Sequence, residues 1–325
     1  MNTTPNSNVN LGILFVLGGV FCISINDMLI KQLSGGYPLH QMVFSRSFIG
    51  ILFSLIFVQM EGGWRILHTT QPLLHAFRGI LIVVSNMAFF LALAVIPLAD
   101  ATALFFAAPL FITLLSIPIL GERVGPLRIG AVVFGFMGVI IMQRPWEGSE
   151  TLGTSRLILM LPVLAALTYA MNQLMTRKLG IKSKASALSV YLQGAFILVS
   201  IAFYLVAGDG RFATDTDNAS LQFLLRAWVW PAKEDYWLFG VLGLNSALVG
   251  YALSQAYRLA DAATIAPFEY IGLPLAVLWG WLVFSDLPVL EVWMGIAMIL
   301  AAGVFVYVRE AQKKRGFLRG RMKGR

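Results

Sequence analysis

The side chains with binding or proton-transfer chemistry in this sequence are few, and most stand in apolar stretches. Glu269 lies in the run IAPFEYIGLP at 265–274, where its neighbours are apolar or aromatic. A carboxyl there anchors a bound solute or couples to a proton, or else it partners a polar group on an adjacent helix beside Pro267 and Pro274. Asp27 and Lys31 are four residues apart, the spacing of an ion pair along one helix face, and Arg46 follows across a turn. The trio reads as a clamp between two helices or as an outer gate. Asn26 and Asn172 each precede a basic residue by five positions, Lys31 and Arg177. Their amides bond a ligand or another helix. Asn86, Tyr169, Tyr251, Gln255 and Tyr270 add candidate cargo-binding groups, with Tyr251 and Gln255 one turn apart. Asp100 and Asp261 recur in matching Leu-Ala-Asp-Ala sequences. They read as helix caps, because a carboxylate at a helix start accepts from free N–H groups and suits the positive end of the dipole.

Enzymatic patterns are missing. His40, His68 and His75 form no His-Glu-x-x-His, and no Gly-x-Ser-x-Gly or Walker sequence occurs. Gly208 to Ala213 matches the loose dinucleotide pattern with no strand before it. Cys22 is the sole cysteine, so no intrachain disulfide forms. No catalytic residue, cofactor or metal is expected, and solute movement would run on a gradient or by exchange.

The elements that must hold these residues are membrane helices. Of 325 residues, 58% are apolar and 12% charged, and mean hydropathy is +0.78; soluble domains carry roughly 25% charged residues. Apolar runs long enough to cross the hydrocarbon core fall near 11–33, 39–59, 75–96, 98–119, 127–143, 156–178, 186–207, 236–258, 262–284 and 288–308. The fourth contains Pro109 and Pro118, and the fifth is short. The sequence thus predicts an all-α integral membrane protein of ten transmembrane helices, with little chain left for a soluble catalytic domain. In the external loop 208–235, LQFLLRAWVW is too short to span, and its Trp228 and Trp230 predict a helix lying at the interface.

Charge sets the orientation. Seventeen of the 24 Lys and Arg, among them Arg65, Arg78 and those of the tail 309–325, fall on one side, and six on the other. The tails 1–10 and 309–325 are therefore expected in the cytoplasm and the spans in the inner membrane. No cleavable signal is expected, since MNTTPNSNVN has no basic residue. The basic run AQKKRGFLRGRMKGR follows the last span directly, where it contacts anionic lipid rather than nucleic acid.

The chain also repeats itself. Asp100 and Asp261, Gly79 and Gly240, and Ser85 and Ser246 are each 161 residues apart. Leu120-Gly121-Glu122 is echoed by Phe284-Ser285-Asp286 after a small slip. The repeat units are 11–145 and 156–308, joined by an external link at 146–155. Each holds five spans, an odd number, so the second enters the membrane from the opposite side. Inverted repeats of this kind mark secondary transporters. Gly130, Gly135 and Gly138, with Gly295, Ala301 and Gly303, form small-residue faces that pack within one chain or support a homodimer.

Leu-Gly-Glu-Arg at 120–123, Pro-Leu-Ala-Asp-Ala at 97–101 and the two five-helix halves resemble the drug/metabolite transporter superfamily, and within it the EamA-domain branch. The likeness runs over about 11–308 and departs at Ser285-Asp286, where Gly-Glu is expected. It implies a ten-helix basket with a central cavity lined by spans 1, 3, 4, 6, 8 and 9, and a small-molecule cargo moved by alternating access. Glu269 with amides and phenols suits a zwitterionic, cationic or flat neutral solute better than a polyanion. Among the cargos the family allows, a flavin- or nucleoside-like heteroaromatic such as riboflavin, taken up into the cell, leads. Amino-acid export and S-adenosylmethionine carriage are the alternatives, and a ligand-binding membrane sensor or scaffold is the reading from another class.

Overall fold

The computed structural model describes residues 5–121, 124–147, 155–179, 184–213, 218–259 and 268–323. Among these, every regular element is a helix. The first half holds α1 (Pro5–Leu33), α2 (Leu39–Glu61), α3 (Pro72–Leu93), α4 (Leu98–Phe105), α5 (Ala108–Leu120) and α6 (Pro126–Met142). The second holds α7 (Arg156–Leu179), α8 (Ala185–Ala207), the short α9 (Ala219–Leu225), α10 (Tyr236–Leu259), α11 (Gly272–Phe284) and α12 (Leu290–Lys323). Seven segments among the described residues are long and apolar enough to cross a membrane, counting Leu98–Leu120 as one. Three shorter apolar helices, Pro126–Met142, Gly272–Phe284 and Leu290–Val306, take the places of the fifth, ninth and tenth runs.

Local sequence explains where these helices start and stop. Pro72 and Pro126 occupy first-turn positions, where the missing N–H costs nothing. Gly121 ends α5 in the left-handed conformation, and the matching residue at the end of α11 is Ser285, also left-handed at φ 57°. The second repeat thus keeps the turn that glycine makes without strain in the first.

Packing repeats with the same two-fold logic. α1 lies against α10 as α7 lies against α3, while α2 packs on α8, α4 on α11 and α6 on α12. These are the contacts of two five-helix units related by an axis between them. Glycines make the closest seam: a Cβ at Gly138 would press on Met298 and the Gly295 carbonyl, and one at Gly135 on Leu110 and Ala302. These glycines are used inside one chain.

The fourth predicted span is broken. α4 ends at Phe105 and α5 begins at Ala108, across a turn at Phe106-Ala107. Pro109 has no N–H to give the carbonyl four residues back, that of Phe105, so the helix is weakened where the turn falls. The ninth run has the same device: Tyr270-Ile271 is a turn before α11, and Pro274 has no N–H for the Tyr270 carbonyl.

The loop between α8 and α10 is a strap rather than an interfacial helix. Asn218 caps α9 through hydrogen bonds from Ser220 N (3.0 Å) and Leu221 N (3.2 Å), and α9 ends at Leu225. Trp228 and Trp230 lie in the extended segment beyond it. Trp228 packs on His40, Phe44 and Tyr204 instead of facing lipid alone. The strap is tied to the α1–α2 hairpin. Gln41 donates to the Val229 carbonyl (2.5 Å) and accepts from Val229 N (3.1 Å). Tyr37 donates to Asp235 (2.6 Å), and Arg226 donates to the Gly35 carbonyl (2.6 Å).

Candidate functional site

The two helix breaks meet. The Phe106 ring packs on that of Tyr270 at 5.5 Å, and a Cβ at Gly272 would touch the Phe106 ring. Beside them, Phe105 meets Tyr169 of α7 edge-on at 5.2 Å and Phe89 of α3 at 5.3 Å. Gln173, one turn along α7, donates to the Tyr169 hydroxyl at 2.6 Å. The Tyr270 hydroxyl is sealed, has no partner, and lies so close to Gly303 of α12 that no other residue fits there without displacing it. Glu269 acts electrostatically on both phenols, so the carboxyl belongs to this centre.

Three residues past Tyr169 on α7, the buried Asn172 accepts a hydrogen bond from Arg78 Nε of α3 at 3.3 Å. Arg78 was counted above with the loop cations; it is buried in α3, six residues past Pro72 and so about 9 Å into the helix. The charge bias that sets orientation survives its removal. Proline at 72 is a helix-start signal that would have placed it correctly.

The other candidates have other places. Asn26 is buried with its Oδ1 unpartnered, and it remains a candidate ligand contact. Asn86 accepts from Arg46 Nη2 at 2.5 Å, and the Arg46 guanidinium stands over the rings of Phe90 (5.3 Å) and Phe196 (5.1 Å). Asp27 feels Arg46 electrostatically but does not reach salt-bridge distance. The helix clamp therefore runs from α2 to α3 through Asn86.

Three expectations need correction. Lys31 is not paired with Asp27; its ammonium donates to the carbonyls of Ile96 (2.6 Å) and Leu93 (3.3 Å), which the end of α3 leaves without helical partners. Tyr251 and Gln255, read as groups for cargo, are bonded to each other and to α2. Gln255 Nε2 bridges Glu61 Oε1 and the Tyr251 hydroxyl, each at 2.9 Å, and Glu61 also accepts from Ser186 Oγ at 2.7 Å. That network ties the ends of α2 and α10 to the start of α8. Asp100 is no cap: Pro97 holds the cap position of α4, and Asp100 lies in the first turn with Oδ1 sealed and unpartnered. Asp261 lies outside the described residues. Apart from this centre, a small crevice of about 20 Å³ lies between α2, α3 and α8 beside α9, with His40, Asn86 and Phe203 in its wall.

Inverted five-helix halves, broken helices meeting at their axis and polar groups gathered beside the breaks define a polytopic secondary carrier. The model of the EamA-like transporter family matches residues 10–144. A riboflavin transporter of Rhizobium johnstonii is 34% identical over 96% of this chain and 95% of its own length. One of Vibrio cholerae is 31% identical over 94% and 95%. An S-adenosylmethionine uptake transporter of Rickettsia prowazekii is 27% identical over 95% and 96%. A crystal structure 16% identical in sequence, covering 93% of this chain and 98% of its own, superposes with a TM-score of 0.62. The chain belongs to the EamA-like transporter family of the drug/metabolite transporter superfamily.

Proposed function

We propose that this protein takes up a flat heteroaromatic metabolite of the riboflavin type by alternating access of its two halves. The observation that carries this reading is the ring group Phe105, Phe106, Tyr169 and Tyr270 at the meeting helix breaks, with Asn172 one turn away. Aromatic faces receive a planar ring system by offset or edge contacts, and a few placed polar groups fix its orientation. The relatives named as riboflavin transporters share the full length of the chain.

Both termini are cytoplasmic in this proposal, supported by the Lys and Arg bias, and the tail 309–325 contacts anionic lipid of the inner membrane. The halves are 11–145 and 156–308. Because Gly135, Gly138, Gly295 and Gly303 pack within the chain, the working unit in this proposal is the monomer.

The test is uptake of labelled riboflavin by a riboflavin-requiring bacterium that expresses this chain. Accumulation above the empty-vector control, with unlabelled riboflavin competing and S-adenosylmethionine not, is the expected result. Competition by S-adenosylmethionine alone would move the cargo to that second class of relative.

A further inference from the structure

Arg78 is a buried guanidinium whose bonding is incomplete. Nε is held by Asn172, while Nη1 and Nη2 bond to nothing among the described residues and are not among the sealed, unpartnered atoms. Arg78 is 9% exposed, and these donors share in that exposure. No carboxylate among the described residues lies within salt-bridge reach of Arg78. On its α8 side, His75 packs against the Tyr191 ring at 4.7 Å, and the Tyr191 hydroxyl donates to the Leu67 carbonyl. An arginine inside a span costs enough on insertion that it marks a solute pathway when no internal anion answers it.

We infer that Arg78, positioned by Asn172, is the cargo-reading residue of this carrier and donates its free Nη–H groups to a ring carbonyl of the solute. Guanidinium is a planar donor with no acceptor, so it selects oxygen acceptors. Asn172 and Tyr169 are three residues apart on one face of α7, about 4.5 Å of axial rise. A fused three-ring solute spans that distance, with one end among Phe105 and Tyr169 and its carbonyl-bearing pyrimidine edge at Arg78. The site then reads both the ring plane and the carbonyl edge, which a neutral aromatic lacking carbonyls would not satisfy.

The inference rests on the riboflavin-type reading, and a two-by-two uptake experiment separates the two. Wild type and Arg78→Met are assayed with riboflavin and with its 2-thio and 4-thio analogues, in which sulfur replaces one carbonyl oxygen and accepts hydrogen bonds poorly. In wild type, one thio analogue should show a KM about tenfold higher than riboflavin, the worth of one hydrogen bond to a charged donor. In Arg78→Met the riboflavin KM should rise by about the same factor, and the analogue should then be no worse than riboflavin. Equal losses for riboflavin and both analogues would make the effect of the variant purely structural and overturn the assignment, leaving uptake itself intact. Failure of wild type to take up riboflavin at all would overturn both readings. Arg78→Lys keeps the charge and serves where Arg78→Met does not reach the membrane: retained discrimination between riboflavin and both analogues at unchanged KM would overturn the fork contact, and its loss would support it.

Discussion

Arg46 and Arg78 are both buried, both sit inside membrane helices and both hydrogen-bond an asparagine on the next helix. Their surroundings differ in every other respect. Arg46 lies between the rings of Phe90 and Phe196, and the Asp27 carboxylate acts on it from α1, although its Nε is buried without a partner. Its charge is answered from within the protein. Arg78 has one bond, no ring beneath its guanidinium and no described carboxylate in reach. A buried cation flanked by two rings and a carboxylate is part of the scaffold. One with a single hydrogen bond and none of those neighbours among the described residues is arranged for a visitor. Burial alone does not separate the two cases; the inventory of partners does.

The comparison breaks if the two positions respond alike. Arg46→Met should cost about 3 kcal/mol of folding stability, because Asn86 and Asp27 lose their shared partner in a low-dielectric interior. A fall in melting temperature of the detergent-purified protein, largely restored by adding Asp27→Asn, is the expected outcome. Asn86→Ala should cost less, about 1 kcal/mol, near the usual worth of an interhelical hydrogen bond in membranes; the same melting measurement reads it. Phe196→Leu removes one of the two ring faces and should cost about 0.5–1 kcal/mol beyond its change in packed volume. Arg78→Met should change stability least of all, by less than about 0.5 kcal/mol, since it removes a desolvated charge along with its one bond. A melting temperature as low as that of Arg46→Met would erase the distinction.

Much of this arrangement is legible in the residues. Apolar runs locate the helices because a helix that crosses a bilayer needs about 20 apolar residues in succession, and the recurring Asp100 and Asp261 sequences announce the repeat. Glu269, Tyr169, Asn172 and Tyr270 stand out as polar or aromatic groups in such runs, and the fold brings them to one place. What misleads is distance along the chain. Gln255 reads as free because its partner Glu61 is 194 residues away. Lys31 seems made for Asp27 because the carbonyls of Leu93 and Ile96, which hold it, have no side-chain signature. Arg78 is hidden by its place three residues into the predicted span 75–96, where a cation near a span end reads as part of the loop charge. Phe105 and Phe106 are ordinary apolar residues until the break at Pro109 turns them toward the axis.

The contact between Phe106 and Tyr270 has a mechanical meaning as well. Where two halves rock against each other, displacement vanishes at the fulcrum and grows with distance along the lever arms. A cross-link spanning the two breaks should leave the rocking stroke free. The same chemistry between Gln41 and Val229, far out on the arm, should freeze it at one end of its travel.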